Sequence, residues 1–435
     1  MKYYSLNHNA KDVGFLEAVQ RGLAPDRGLY FPKEIPTLNA DFIENINQYS
    51  DHDIAYRVIQ PFVGNDIPKE QLKKIVKDTL SFDFPIVQIT ENIATLELFQ
   101  GPTLAFKDVG ARFMARCLAH ANQLDKKKKI TVLVATSGDT GGAVADGFYK
   151  VKGIEVVILY PKGKVSEIQE RQLTTLGKNI TALEVKGTFD DCQDMVKSAF
   201  IDPELIQNVN LTSANSINIA RWLAQMFYYF IAYKNRPNPE KKLIVSVPSG
   251  NFGNLCAGLI AQQMGLPIAH FIASTNVNNT VPKYLESGEY TPKKSIQTIS
   301  NAMDVGAPSN FIRIQKIFNN DFFKLKKILS GFSYTDKETE KAIKEIYEQE
   351  GYVADPHGAV GFLGLKAYIE SQEEPSSYQG LFLETAHPIK FADAVEKILK
   401  TQIQVPERLK GVLQKEKFCF PIGDYQELKY FLLSR

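Results

Sequence analysis

From Ile130 onward the chain alternates short β-branched runs with stretches of helical period, and this alternation restricts its fold more than any other feature. Residues 130–135, 156–160 and 180–185 read as strands, each followed by a helical pattern, at 142–149, 167–176 and 192–200. Such a pattern argues for βαβ units and a parallel sheet covered on both faces. The stretch 217–233 carries bulky apolar residues almost all round, which predicts a helix buried between layers. A second alternating block follows, with strands at 243–247, 269–273 and 380–383 and helices at 255–264, 337–348, 359–369 and 391–399. The first ninety or so residues differ: Pro25, Pro32, Pro36, Pro61 and Pro68 interrupt short helical patterns such as 71–80. The expected architecture is α/β, with two parallel-sheet domains at 91–240 and 241–435 behind an accessory region at 1–90. Two such blocks imply a cleft, and ligands of open parallel sheets gather beyond the strand C-terminal ends.

At 435 residues, 44% hydrophobic and 23% charged, the chain has the composition of a globular protein with room for more than one core. A net charge of +2 supplies no general field for nucleic acid or acidic lipid, so neither is expected as a partner. The one dense basic block, Lys126 to Lys129, reads as a solvated turn. Cys117, Cys192, Cys256 and Cys419 are far apart and show no metal-ligand spacing, which argues against disulfides and structural zinc. The opening residues lack the apolar core of a signal peptide, and no segment approaches the length of a membrane span. The cytoplasm is the expected location.

Five segments carry residue types suited to chemistry. In Gly101-Pro102-Thr103-Leu104-Ala105-Phe106-Lys107-Asp108, Lys107 stands immediately before a helical pattern. The free N–H groups of a helix start disfavour an ammonium there, and desolvation acts in the same direction. An amine so depressed forms Schiff bases and accepts protons; the competing reading is a solvated lysine at a helix start. Ser137-Gly138-Asp139-Thr140-Gly141-Gly142 joins a strand to a helix, where backbone N–H groups suit a carboxylate or phosphate. Pro248-Ser249-Gly250-Asn251-Phe252-Gly253-Asn254 repeats the arrangement, without the lysine of a Walker A loop or the spacing of a dinucleotide fingerprint. Either turn is open to being a tight connection that binds nothing. Asn215, Ser216, Asn218 and Arg221 place amides, a hydroxyl and a guanidinium at a helix mouth, where Arg221 suits a bidentate phosphate and Asn215 or Ser216 equally suits a helix cap. Glu384-Thr385-Ala386-His387-Pro388 ends a strand, either offering the Thr385 hydroxyl to a ring nitrogen or forming a buried turn. His357 and His387 read as satisfied turn histidines.

Together with Gly22-Leu23-Ala24-Pro25-Asp26-Arg27-Gly28-Leu29-Tyr30 near the start, these segments resemble the threonine synthases, fold-type II pyridoxal-phosphate (PLP) enzymes related to the tryptophan synthase β chain. The opening segment separates this family from the dehydratases and cysteine synthases. The resemblance implies a Schiff base with PLP at Lys107, the PLP phosphate on Gly250, Asn251, Phe252 and Asn254, and Thr385 facing the pyridine nitrogen. It further implies that Ser137, Gly138, Asp139 and Thr140 hold the substrate carboxylate, and that Asn215, Ser216, Asn218 and Arg221 contribute to the phosphate pocket. Ile389 stands where the family pattern leads one to expect a smaller residue. The implied reaction converts O-phospho-L-homoserine and water to L-threonine and phosphate, with Lys107 carrying protons, in a monomer without metal. A serine/threonine dehydratase and a non-catalytic binding protein are the alternatives. Ammonia release from threonine would mark the first, and a colourless protein that reconstitutes no cofactor the second.

Overall fold

The computed structural model describes residues 1–124 and 129–435. Its strands, in chain order, are β1 (Tyr3–Ser5), β2 (Tyr30–Pro32), β3 (Ile86–Gln88), β4 (Ile93–Glu97), β5 (Ile130–Ala135), β6 (Ile154–Pro161) and β7 (Ile180–Val185). They continue with β8 (Asn210–Ser213), β9 (Lys242–Pro248), β10 (Ile268–Thr275), β11 (Leu329–Ser333), β12 (Tyr378–Glu384) and β13 (Phe420–Ile422). One sheet runs β11-β10-β9-β12-β4-β3 and a second β13-β7-β6-β5-β8, while β1 and β2 pair alone. Both large sheets are parallel except for the antiparallel β3–β4 pair. The unbroken burial of β5 and the near-unbroken burial of β6, β9 and β10 follow from helices covering both faces, which is why these strands read as continuous apolar runs.

Strand order reverses in each sheet at one place. In the first sheet β10 and β11 extend to one side of β9 and β12 lies on the other; in the second, β6 and β7 lie to one side of β5 and β8 to the other. Loops diverge at such points and leave a crevice at the strand C-terminal ends. Of the five segments singled out above, the one carrying Lys107 follows β4 and the others follow β5, β8, β9 and β12, so both reversals feed the same crevice.

The sheets do not follow a division at residues 90 and 240. β3 and β4 join the sheet built mainly from residues 242–384, and β13 joins the sheet of residues 130–213. β3 and β13 are three residues long, too short to register as strands in a periodicity search. Nor is the N-terminal region a separate layer: Tyr3, Phe15 and Tyr30 are fully buried in the main core. Phe15 meets Phe113 of the helix Lys107–Leu124 and Phe31 stacks on Trp222. Arg313 ties the regions further by donating to Tyr30 O at 3.0 Å and Ile217 O at 2.7 Å.

The apolar stretch 217–233 forms two helices, Ile219–Leu223 and Met226–Lys234, with Ala224 and Gln225 between them. Both are buried as the pattern implied. Of the basic run, Lys126, Lys127 and Lys128 lie outside the described residues, whereas Lys129 pairs with Glu155 at 3.2 Å. Among the described residues no helix is long and apolar enough to cross a membrane, and no group of His, Cys, Asp or Glu is arranged to hold a metal ion.

Candidate active site

Lys107 is the first residue of the helix Lys107–Leu124. Two sets of hydrogen bonds fix the loop before it. The Asp108 carboxylate accepts from Thr103 N at 2.9 Å and from the Thr103 hydroxyl, and Phe106 N donates to Thr385 O at 2.9 Å. A bridge between Ala105 and Ala386 completes the stitching, so the lysine is carried by the end of β12. Its side chain, 16% exposed, faces a cavity of about 370 Å³.

Ser137, Asp139, Thr140, Asn215, Ser216 and Arg221 line this cavity from the β5–β8 side. Gly250, Asn251, Phe252, Asn254 and Thr385 line it from the β9–β12 side. Gly138 and Asn218 stand outside the lining. Gly138 has φ near 136°, a conformation suited to glycine, and a Cβ there would lie 2.4 Å from the Gln169 amide carbon. Asn218 is the N-cap of the helix Ile219–Leu223: its side-chain oxygen accepts from Ala220 N at 3.1 Å and its amide donates to Val19 O and Ser213 O. The cap expected from Asn215 or Ser216 is therefore made by Asn218, which leaves those two residues on the cavity wall. The Asn215 amide makes a long contact with Ala135 O at 3.5 Å, and Ser216 accepts from Asn310 at 3.3 Å.

The turn after β9 suits a phosphate by its unused donors. The backbone N–H groups of Gly250 through Asn254 donate to no other described residue, and the helix Gly253–Gln263 begins there. Phe252 takes a left-handed conformation, φ 61°, which costs a non-glycine residue on the order of 1 kcal/mol and aims successive N–H groups into one concavity. The Asn254 side-chain oxygen accepts from the Tyr228 and Tyr229 hydroxyls at 2.6 and 2.7 Å, while its buried Nδ2 has no described partner. Gly250 admits the close approach of a second loop: a Cβ would stand 2.6 Å from Ala302 O. Thr385 is 6% exposed and lines the cavity, and its hydroxyl bonds to no described residue. An anchoring lysine, a donor-rich turn and a free hydroxyl at the strand ends fit PLP.

The electrostatics centre on Asp139. Its Oδ1 accepts from Lys390 Nζ at 2.7 Å and from Gln169 Nε2 at 2.9 Å, and its Oδ2 lies 3.9 Å from Lys107 Nζ. Burial acts to raise the Asp139 carboxyl, but the Lys390 and Lys107 cations outweigh it and hold it well below the usual carboxylate range. Lys107 is pushed down to about 8, chiefly by burial; Asp139 opposes this, and the nearby Lys390 and Arg221 cations add to it. Near neutral pH its amine is thus much more available than that of an ordinary lysine. Arg221 is 2% exposed; it donates to Ala214 O, and its Nε has no described partner. In the loop at residues 137–140, Thr136 Oγ1 takes the N–H groups of Gly138 and Gly141, whereas those of Ser137, Asp139 and Thr140 reach no described acceptor.

Comparison with known proteins meets this geometry at every part of the chain. A family of pyridoxal-phosphate dependent enzymes matches residues 90–381. The threonine synthase N terminus matches residues 2–80 and the threonine synthase C-terminal family residues 358–431. Threonine synthase of Haemophilus influenzae is 47% identical over 439 aligned residues, covering 100% of both chains. The chain belongs to the threonine synthase family. The crystal structure of threonine synthase from Escherichia coli superposes with a TM-score of 0.92 at 41% identity over 100% of both chains. A PLP-bound threonine synthase from Brucella melitensis superposes equally well, TM-score 0.92 at 34% identity, covering 100% of this chain and 99% of that one. Maize serine racemase, at 15% identity and TM-score 0.53, shares the fold alone. Full-length agreement with threonine synthases disfavours the dehydratase and the non-catalytic alternatives.

Sequence reasoning in this threonine synthase family member missed Lys390 entirely. It lies in a one-turn helix after His387-Pro388, where an isolated lysine gives no sign of being fully buried. It also took His357 for an ordinary turn residue. His357 lines the cavity; its Nδ1 is 2.5 Å from Asp355 Oδ1 and its Nε2 accepts from Ala302 N, so it helps seat the wall beside Gly250. His387 does cap its turn, with Nδ1 accepting from Ile389 N at 3.1 Å. Ile389 is accommodated in an apolar cluster with Leu104 and Leu409.

Proposed function

We propose that this chain converts O-phospho-L-homoserine and water to L-threonine and inorganic phosphate, with Lys107 as both the anchor of the cofactor and the carrier of protons. The observation that supports this most is the meeting, in one cavity, of a lysine with a depressed pKa and a turn of unused N–H donors. Pyridoxal phosphate, when bound, supplies the electron sink that stabilises negative charge at the substrate carbon next to the amine. Gly250, Asn251, Phe252 and Asn254 would hold its phosphate, and Thr385 would offer its ring nitrogen an uncharged hydroxyl.

Lys107, whose amine burial pushes down to about 8, would take the α and then the β proton and return one at the γ carbon, which becomes the methyl group of threonine, and one at the α carbon. Ser137 and Thr140 would receive the substrate carboxylate through hydroxyl and N–H donors. The Asp139 side chain, already engaged by Lys390, keeps its own charge from repelling that carboxylate. Arg221, with Asn215 and Ser216 beside it, would take the substrate phosphate as the γ carbon–oxygen bond breaks and water adds at the β carbon. We infer that it acts as a monomer, as the family resemblance implies. We place it in the cytoplasm, where its four free cysteines stay reduced.

Arg221→Ala discriminates this account from a structural role. Truncation removes a charged hydrogen bond to phosphate, worth about 1.5–3 kcal/mol, so binding of O-phosphohomoserine should weaken more than tenfold while an unphosphorylated homoserine analogue is held nearly as before. Equal losses for the two ligands would make Arg221 structural.

A further inference from the structure

Two lysines share one buried carboxylate in this site, and only one of them is called on by the proposed chemistry. Lys390 is fully buried, and its Nζ reaches Asp139 Oδ1 at 2.7 Å and Thr103 O at 2.9 Å. With Gln169 on the same oxygen, Asp139 Oδ1 is saturated, and only Oδ2 is left for Lys107, at 3.9 Å. The charged groups around Lys107 come from three elements: Asp139 from the helix Asp139–Phe148, Arg221 from the helix Ile219–Leu223, and Lys390 from the turn Pro388–Phe391. Asp108, next to Lys107 in sequence, faces Thr103 and lies near Arg221. Counting Lys390 against Asp139 and Arg221 against Asp108, the buried set is balanced before Lys107 is included. A proton on Lys107 therefore adds an unmatched charge to a dry site, and the balanced state is the one with a free amine.

We propose that Lys390 is a positioning residue for Lys107: by occupying Asp139 Oδ1 it denies Lys107 a full counter-ion and so eases loss of the proton from the reacting amine. This rests on Lys107 being the reacting amine. Lys390 acts through Asp139 and need not touch substrate or cofactor. Its position after β12, reaching the helix that follows β5, also means that the charge balance is set only when the two sheets are seated together.

The test uses the cofactor-free full-length chain, acetylated with acetic anhydride across pH 6 to 11, with Lys107 modification read by peptide mass spectrometry. In Lys390→Met and Lys390→Gln the midpoint for Lys107 should rise by about one pH unit or more, because an opposite charge within hydrogen-bonding reach shifts a titration by one to three units. The glutamine keeps a donor to Thr103 O and loses only the charge, so a purely structural role predicts no shift in that variant. Asp139→Asn should move the midpoint the opposite way, which keeps the proposal open to refutation if neither Lys390 variant folds. An unchanged midpoint in a folded Lys390 variant, or a rise in Asp139→Asn, overturns it. Borohydride reduction of the PLP-loaded parent, mapped in parallel, reports separately on the anchor: a label on another lysine refutes the role of Lys107, whereas a label on Lys107 with an unmoved midpoint refutes only that of Lys390.

Discussion

Replacing Lys107 with methionine in the cofactor-free chain should make the protein more stable at neutral pH. The lysine is pushed from its ordinary value of 10.5 down to about 8, chiefly by burial. Because the folded pKa lies below the unfolded one, the fold carries the cost of the charged amine in full below pH 8. That cost fades as pH rises and is gone above about 10.5, where the amine is neutral in both states. A shift of this size corresponds to about 3 kcal/mol, and the side chain is only 16% exposed, so little of it is lost to solvent screening. Methionine keeps the length and apolar stem, and Asp139 retains Lys390 as its partner. The expected gain at pH 7 is about 1–3 kcal/mol, read from paired denaturant titrations of parent and variant, and it should shrink towards zero when the pair is repeated near pH 10.5. A variant less stable than the parent at pH 7, or a gain independent of pH, would refute the argument that burial strains the ammonium.

Gly250→Ala drives a Cβ to 2.6 Å from Ala302 O and 3.0 Å from Met303 Cα, both backbone atoms that cannot rotate away. Overpacking of this kind costs about 1–3 kcal/mol, and since the displaced loop borders the phosphate turn, PLP affinity should fall about 5- to 150-fold by fluorescence titration. Glu384 is buried, with its carboxyl raised well above the ordinary range by burial and by the neighbouring Asp355. Its folded pKa exceeds the unfolded one, so the stability it contributes is full in acid and falls as pH rises above the ordinary carboxylate range. Glu384→Gln, which keeps an acceptor for Asp355 N, should raise the melting temperature more at pH 8 than at pH 4.5; a gain that does not grow with pH would contradict a carboxyl raised by burial.

The parallel sheets were legible because strands buried on both faces must be almost continuously apolar, as 130–135 and 243–247 are apart from Thr131 and Ser246. The exchange of strands between sheets was not: β4 and β13 carry no local mark of which sheet they enter, since pairing partners hundreds of residues away decide it. At the site, the turn at 249–254 could be read because glycine, asparagine and serine between a strand and a helix have a direct backbone consequence. Asn218 shows the reverse case, since capping chemistry and ligand chemistry use the same side chain and only the fold reveals that its amide is spent on Val19 and Ser213. Lys390 was invisible for a related reason. A lysine's burial depends on a carboxylate arriving from elsewhere, here from 251 positions earlier in the chain.

The most direct test of the account is to load the purified chain with PLP, record its visible absorbance, and follow phosphate and threonine together on adding O-phospho-L-homoserine. The parent should show the absorbance of cofactor bound to a lysine and release phosphate and threonine in equal amounts, and Lys107→Ala should lose both signals. Turnover or lysine-bound absorbance retained in Lys107→Ala, or phosphate released by the parent without threonine, would contradict it.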